Sequence, residues 1–336
     1  MKPVIGITIG DPAGIGPEVV VKSLIDKEIY EICQPVVIGD IAVLEETRDI
    51  LNASSSLNFV AVTDSEEISF PFGTIPVFDL GLIKKPIIFG RSMSEYGFAS
   101  YMYIKKASEL AQKGIIDAVA TAPINKVSLK LANIGFIGHT EILSYLTGAK
   151  DPLTMFVLDE MRVFFLSRHV SLRQAVDMVK FERVLDYIER CVGALEDLGA
   201  DVREKPFAVA GLNPHAGENG LFGDEEVKEV IPAIKEAQRK GINVVGPIGA
   251  DSVFYMARAG KFSGVLSMYH DQGHIATKTV DPARTISLTL GMPFLRTSVD
   301  HGTAFDIAGK GIADETSMKE AIKVAVKFLR YKKLRR

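Results

Sequence analysis

Three apolar runs in this chain each end on a histidine. Val163-Phe164-Phe165-Leu166-Ser167-Arg168 leads to His169, Phe207-Ala208-Val209-Ala210-Gly211-Leu212-Asn213-Pro214 leads to His215, and Phe262 to Met268 leads through Tyr269 to His270. The last run continues as His270-Asp271-Gln272-Gly273-His274, so two imidazoles and a carboxylate follow it directly. Each run is short enough to be a buried strand, and ligands of open α/β sheets bind at the carboxyl ends of strands. Three strands can thus deliver His169, His215 and His270 to one place, where three imidazoles suit a divalent transition metal with an open coordination position. Zinc is the expected ion; cobalt, nickel, manganese and magnesium are the alternatives. The bland alternative is that each histidine caps a turn, and repetition of the arrangement weighs against it.

Other residues with chemical use also fall just after strands or at helix starts. Lys126 closes Thr121-Ala122-Pro123-Ile124-Asn125-Lys126 behind an apolar run at Ile115 to Ala120, where it can bind an anionic group, help proton transfer, or simply be solvated. His139 and Thr140 open a helix after Gly135-Phe136-Ile137-Gly138, a place where free amides and the helix dipole favour phosphate or carboxylate; Thr140 as a mere N-cap competes with that reading. Asp251 precedes the Phe262–Met268 run and can orient a metal-bound histidine. Lys126, Asp251, Asp271 and a metal-bound water are the candidate general bases, and the sequence does not choose among them.

These side chains need a frame, and the pattern describes one. Pro3 to Ile9 reads as a strand, Gly10-Asp11-Pro12-Ala13-Gly14-Ile15-Gly16 as a tight turn, and Pro17-Glu18 as a helix start. The turn is neither G-x-G-x-x-G nor a P-loop; it either brings backbone and Asp11 close to a ligand or is purely structural. Strands at Pro35–Ile38, Asn58–Val62 and Thr74–Phe78 and a helix over Ser94–Gln112 continue an α/β alternation that implies a mostly parallel sheet. Val184, Leu185, Ile188, Cys191, Val192 and Leu195 form a core stripe of a helix, and Ser317 to Leu329 reads as an amphipathic helix.

At 336 residues the chain exceeds the usual size of a single core, so two lobes are expected, residues 1–125 with 285–336 and residues 126–284. A net charge of −3 argues against nucleic-acid binding, and the basic end Lys327 to Arg336 reads as cations complementing a helix terminus. Cys33 and Cys191 have no pairing or metal spacing and read as reduced core residues. The amino terminus matches neither signal peptide nor membrane anchor, so a cytoplasmic location is expected by default.

Gly10-Asp11-Pro12-Ala13-Gly14-Ile15-Gly16-Pro17-Glu18, Thr121-Ala122-Pro123-Ile124-Asn125-Lys126, Gly138-His139-Thr140-Glu141, Asn213-Pro214-His215-Ala216-Gly217-Glu218, Tyr269-His270-Asp271-Gln272-Gly273 and Arg296-Thr297-Ser298-Val299-Asp300-His301-Gly302-Thr303-Ala304, in that order, resemble the 4-hydroxythreonine-4-phosphate dehydrogenase (PdxA) family. The resemblance covers nearly the whole chain. It implies an isocitrate/isopropylmalate dehydrogenase-like α/β fold, two α/β/α lobes with an active-site cleft between them, and a homodimer whose subunits share the metal ligands His169, His215 and His270. By the same matching, His139, Thr140, Lys278 and Arg296 look like substrate contacts. His301, Gly302, Thr303, Ala304 and Asp306 lie in a stretch similar to the nucleotide loop of isopropylmalate dehydrogenases, with Phe305 where those carry proline. That loop implies NAD, with NADP as the alternative, without a Rossmann fingerprint. Ser287 stands where the vitamin-pathway enzymes carry a substrate-binding asparagine. His274 stands where they carry an apolar residue and looks like relatives acting on 4-phospho-D-threonate or 4-phospho-D-erythronate.

The expected activity is therefore NAD- and divalent-metal-dependent oxidation of the 3-hydroxyl of a small 4-phosphorylated hydroxy acid, followed by decarboxylation. The first expectation is 4-hydroxythreonine-4-phosphate dehydrogenase of pyridoxal phosphate synthesis, and the alternative is a 4-phospho-D-threonate or 4-phospho-D-erythronate dehydrogenase. A phosphate acyltransferase-like enzyme and a non-catalytic metabolite-binding protein are the rivals from other classes. No membrane partner is expected.

Overall fold

In a computed structural model of the chain, residues 2–53, 57–64, 68, 70–84 and 86–334 are described, with side chains as far as Arg330. The side chains of the basic end beyond that point lie outside the described residues.

The chain divides into two compact units, one of Met1–Pro152 with Ile286–Leu329 and one built on Leu153–Thr285. In chain order the strands are β1 (Val4–Thr8), β2 (Gln34–Gly39), β3 (Asn58–Ala61), β4 (Thr74–Asp79) and β5 (Ala118–Thr121), then β6 (Leu153–Leu158), β7 (Met161–Phe165), β8 (Phe207–Ala210), β9 (Val244–Ile248) and β10 (Gly264–Ser267), then β11 (Ile286–Leu290) and β12 (Leu295–Ser298). Residues 126–152, expected in the second lobe, fall within the first unit because the helices Lys126–Leu131 and His139–Thr147 pack on the long helix Ser94–Gln112.

In the first unit the strands run in the order β3-β4-β2-β1-β5-β12-β11, parallel except where β12 turns back on β11. Most of these strands read as unbroken apolar runs because helices cover both faces of such a sheet. Ile5, Ile7, Val36, Val37 and Ile38 are fully buried with Val19, Val20, Tyr103, Ile104 and Ala107 from the helices. Each such aliphatic side chain contributes about 1.5–3 kcal/mol on burial.

In the second unit the order is β6-β7-β10-β8-β9, parallel except for the β6–β7 pair. Phe156, Val163, Phe165, Ala208 and Val265 pack with Val253 and Phe254 of the helix Ala250–Arg258. The three histidine-terminated runs are thus β7, β10 and β8, adjacent and parallel, so their carboxyl ends share one edge. On the helix Phe181–Asp197 the buried face takes in Tyr187 in place of Leu185, because Arg183 and Arg190 stack on the Tyr187 ring. Cys33 and Cys191 are buried and not joined in a disulfide, and the Cys33 thiol donates to the Ile29 carbonyl at 3.3 Å. No helix among the described residues is long and apolar enough to cross a membrane.

Candidate active site

The motif after β10 explains itself residue by residue. Gly273 lies so close to β7 and β10 that a Cβ there would stand 2.6 Å from Phe165 Cε1 and 2.8 Å from Ser267 Oγ. Gln272, buried, accepts from the Met268 N–H at 2.8 Å and donates to the Gly211 carbonyl at 2.8 Å, tying the end of β10 to the end of β8. The helix His270–Lys278 that begins here has no side-chain cap. His270 Nδ1 is 2.6 Å from Asp271 Oδ1, which leaves Nε2 as the nitrogen available to a ligand, a pattern common among metal-binding histidines.

His169 arrives at the same edge from β7. Ser167 Oγ donates to the Met268 carbonyl at 3.0 Å, and Leu166 N donates to the Ser267 carbonyl, so the exits of β7 and β10 are bonded together. The His169 and His270 ring centres are 5.8 Å apart. Two imidazoles that hold one ion at about 2.0–2.1 Å set their ring centres roughly 5–6 Å apart, so this pair fits a shared metal.

His215 does not join them within the chain. Its ring lies beside Phe222, 6.3 Å centre to centre, and among the described residues no group of three or more His, Cys, Asp or Glu side chains is placed to hold a metal ion. Within the single chain, His169 and His270 lie near each other and no third such side chain joins them among the described residues. The cause is the backbone after β8. Residues 215–219 all have φ between 44° and 78°, a left-handed turn in which four of the five residues are not glycine. Such residues cost about 1–2 kcal/mol each, and a turn of this kind persists only where its surroundings impose it. Buried Glu226 anchors the segment that enters it, accepting from Leu212 N at 2.8 Å, Asn213 N at 2.7 Å and Asn213 Nδ2 at 2.8 Å. Asp251 is exposed on the first turn of the helix Ala250–Arg258 and lies near His215: a Cβ on Gly249 would meet Asp251 Oδ1 at 2.6 Å and the His215 Cα at 3.8 Å.

His274, one turn after His270, stacks on it with ring centres 3.8 Å apart and planes 16° from parallel. Burial and the neighbouring His270 keep it neutral, with its pKa pushed down to about 3. Lys278 is half-buried at the end of the same helix.

The first unit presents an anion site. Arg296, 5% exposed on β12, donates from Nε and Nη2 to Thr121 Oγ1 at 3.1 and 2.8 Å and from Nη1 to Thr289 Oγ1 at 3.0 Å. Burial lowers its pKa to about 10 against the opposing pull of Glu141, so it stays a cation at neutral pH. Its hydrogen-bond partners are hydroxyls, and apart from the nearby Glu141 its charge has no direct partner among the described residues. His139 has its Nε2 sealed from solvent with no partner among the described residues, and burial, with Arg296 nearby, holds its pKa well below the ordinary histidine value. The helix His139–Thr147 is headed by Gly138 and carries no side-chain cap, so Thr140 is not the N-cap. Ser287 lies opposite Ser298 in the β11–β12 pair, and exposed Lys126 begins the helix behind the N-cap Asn125.

The Gly10–Gly16 turn acts as a brace. Asp11 N donates to the Pro123 carbonyl and Ile15 N to the Thr303 carbonyl, each at 3.0 Å. Gly10, at φ 74°, lies where a Cβ would meet Pro123 O at 2.2 Å. The turn thus binds the loops after β5 and β12 to the end of β1. In the second of these loops, His301 Nδ1 faces the Gly302 carbonyl at 3.0 Å, Thr303 is buried, Ala304 has φ 40°, and Gly302 and Asp306 are exposed. Asp11 itself is fully buried; burial raises its pKa to about 6, against bonds from Ala13 N and Ser128, and its Oδ2 has no partner among the described residues.

Sequence reasoning missed Thr121, Thr289, Gln272 and Glu226. Thr121 heads a motif that was noticed, and the antiparallel register that sets Thr289 opposite Arg296 follows from the short Gly291-Met292-Pro293 connection. Nothing local distinguishes Glu226 from its acidic neighbours.

Two α/β units, with histidines at the strand ends of one and a buried arginine in the other, define a dehydrogenase of the isocitrate/isopropylmalate dehydrogenase-like class. The model of the family described as pyridoxal phosphate biosynthetic protein PdxA matches residues 31–325, and the chain belongs to that family. It is 57% identical over 328 residues, 97% of each chain, to a Clostridium botulinum protein provisionally named D-threonate 4-phosphate dehydrogenase. Among solved structures it is similar to a 4-hydroxythreonine-4-phosphate dehydrogenase from Burkholderia phymatum, with 43% identity, TM-score 0.86 and 98% of each chain covered. It is likewise similar to the enzyme of that name from Klebsiella pneumoniae, with 38% identity, TM-score 0.88 and 98% of each chain covered.

Proposed function

We propose that the chain oxidises the C3 hydroxyl of a four-carbon acid phosphorylated at C4, passing hydride to NAD, after which the β-keto acid loses carbon dioxide. The observation that carries this reading is buried Arg296, a cation whose hydrogen-bond partners are all hydroxyls, beside the uncapped start of the helix His139–Thr147. A fork of guanidinium N–H groups and free helix amides suits phosphate or carboxylate. His139 and Thr140 would bind the same group, and Lys278 and Ser287 other polar groups of the substrate. His301, Gly302, Thr303, Ala304 and Asp306 would hold the dinucleotide, with NADP as the less favoured cofactor.

A divalent ion held by His169, His215 and His270 would supply a Lewis acid that lowers the pKa of the substrate hydroxyl and favours the enolate. His215 would complete that set from a second subunit, so the reading includes a homodimer, and a cytoplasmic location goes with it. Asp271 keeps the His270 tautomer. Asp251, near His215, and Lys126 are the groups proposed to move the hydroxyl proton.

Two substrates fit, and they differ only in the amino or hydroxyl group at C2. The family and the similar solved structures support 4-hydroxythreonine 4-phosphate; the 57%-identical relatives support D-threonate 4-phosphate. The test is NAD reduction by metal-replete protein with each substrate, with and without chelator. Faster chelator-sensitive turnover of one identifies the substrate, and no reduction with either overturns the reading.

A further inference from the structure

His274 belongs to no role described above. It follows His270 by four residues on one helix, so the two side chains share a face. The stack at 3.8 Å and 16° is nearly parallel. On its other sides His274 meets Phe156, with ring centres 4.2 Å apart, and Phe165, 4.8 Å apart. The helix cannot shift to relieve this packing, because Gly273 is wedged under Phe165 and Gln272 is bonded to both strand ends.

His270 therefore has two restraints of different kinds. The Asp271 carboxylate holds Nδ1 in the plane of the ring, and a single bond of that kind leaves the ring free to tilt about its own axis. A flat partner against the ring face removes the tilt. We propose that His274 is a positioning residue: its ring, boxed by Phe156 and Phe165, fixes the plane in which His270 presents Nε2. Its importance for metal binding rests on the histidine-metal reading above; its effect on the His270 ring does not.

On this account the ring face matters and the ring nitrogens do not, which separates His274→Phe from His274→Ala. Two measurements on the intact protein read the difference. In metal-free protein, side-chain ¹⁵N NMR reports the His270 ring, assigned by loss of its signals in His270→Gln. In a cobalt(II) titration, visible absorption reports affinity.

His274→Ala should move the His270 signals toward an averaged ring and weaken cobalt binding by about 10-fold or more, as expected when a group that orients a metal ligand is lost. His274→Phe should keep the wild-type pattern and stay within about threefold in affinity. If His274→Ala changes neither readout, or if His274→Phe loses as much affinity as His270→Ala, the positioning role is wrong. Wild-type protein that binds no cobalt, with His270 signals that still respond to His274→Ala and not to His274→Phe, would remove the metal reading and leave the positioning role standing.

Discussion

Arg296 illustrates how a buried charge makes a residue indispensable to a ligand and not to the fold. Its guanidinium is held by the Thr121 and Thr289 hydroxyls with the Glu141 carboxylate near, so the proposed anion would add a direct charged partner to a cation that is already held in place. Truncating one partner of a buried charge pair costs about 2–5 kcal/mol. Arg296→Ala should therefore lower kcat/KM about 30-fold or more, and Arg296→Lys, which keeps the charge and loses the fork, should recover part of it. NAD-reduction kinetics on both variants check this; an unchanged kcat/KM for Arg296→Ala removes the anion role. Asp11 makes a different prediction. Its folded pKa of about 6 exceeds the reference 3.8, so the folded chain keeps a proton that the unfolded chain gives up. The stability carried by that proton is whole below pH about 4 and is lost as pH rises through about 6. Asp11→Asn cannot ionise, so it should be the more stable protein at pH 7, by at most about 3 kcal/mol, with the difference vanishing toward pH 4. Urea unfolding across that range, followed by circular dichroism, decides it.

At the scale of elements, the helix His270–Lys278 is located by two neighbouring residues. Gly273→Ala forces a methyl group against Phe165 and Ser267, and overpacking of this kind costs about 1–3 kcal/mol. Gln272→Ala leaves the Met268 N–H and the Gly211 carbonyl without their partner, at about 1–3 kcal/mol. Both variants should show lower urea midpoints, and a neutral Gly273→Ala would contradict the close packing. The strands beneath this helix were legible in the sequence, because an apolar run bounded by polar residues has few other uses. Phe262–Met268 shortens to Gly264–Ser267, and the run expected from Val163 shifts to Met161–Phe165, so His169 follows its strand by four residues. The left-handed turn at 215–219 was not legible. Gly217 and Asn219 take up such backbone singly, but five consecutive left-handed residues have no local signature, and Glu226, which anchors the entry to the turn, comes from a separate helical segment.

For the whole molecule, the central question is where the third imidazole of a metal site comes from. His169 and His270 lie near each other and no third ligand joins them among the described residues, so on the proposed reading His215 would come from a second copy of the chain. Light scattering should give the mass of two chains, and a stable monomer that binds cobalt as tightly as any oligomer would refute the shared site. The α/β class, the strands that carry the histidines and the family were all determined by the sequence itself, since hydrophobic period and motif order are local properties. So were His169, His270 and Arg296 as candidates. The tertiary structure alone decided that His215 stands apart, that residues 126–152 pack with the first unit, that Arg296 rests on two threonines and that His274 backs His270. The first two depend on which side chains distant segments bring together; the Thr289 contact and the His274 stack have local spacing behind them, but Thr121 and the Phe156 and Phe165 rings that complete them come from other strands.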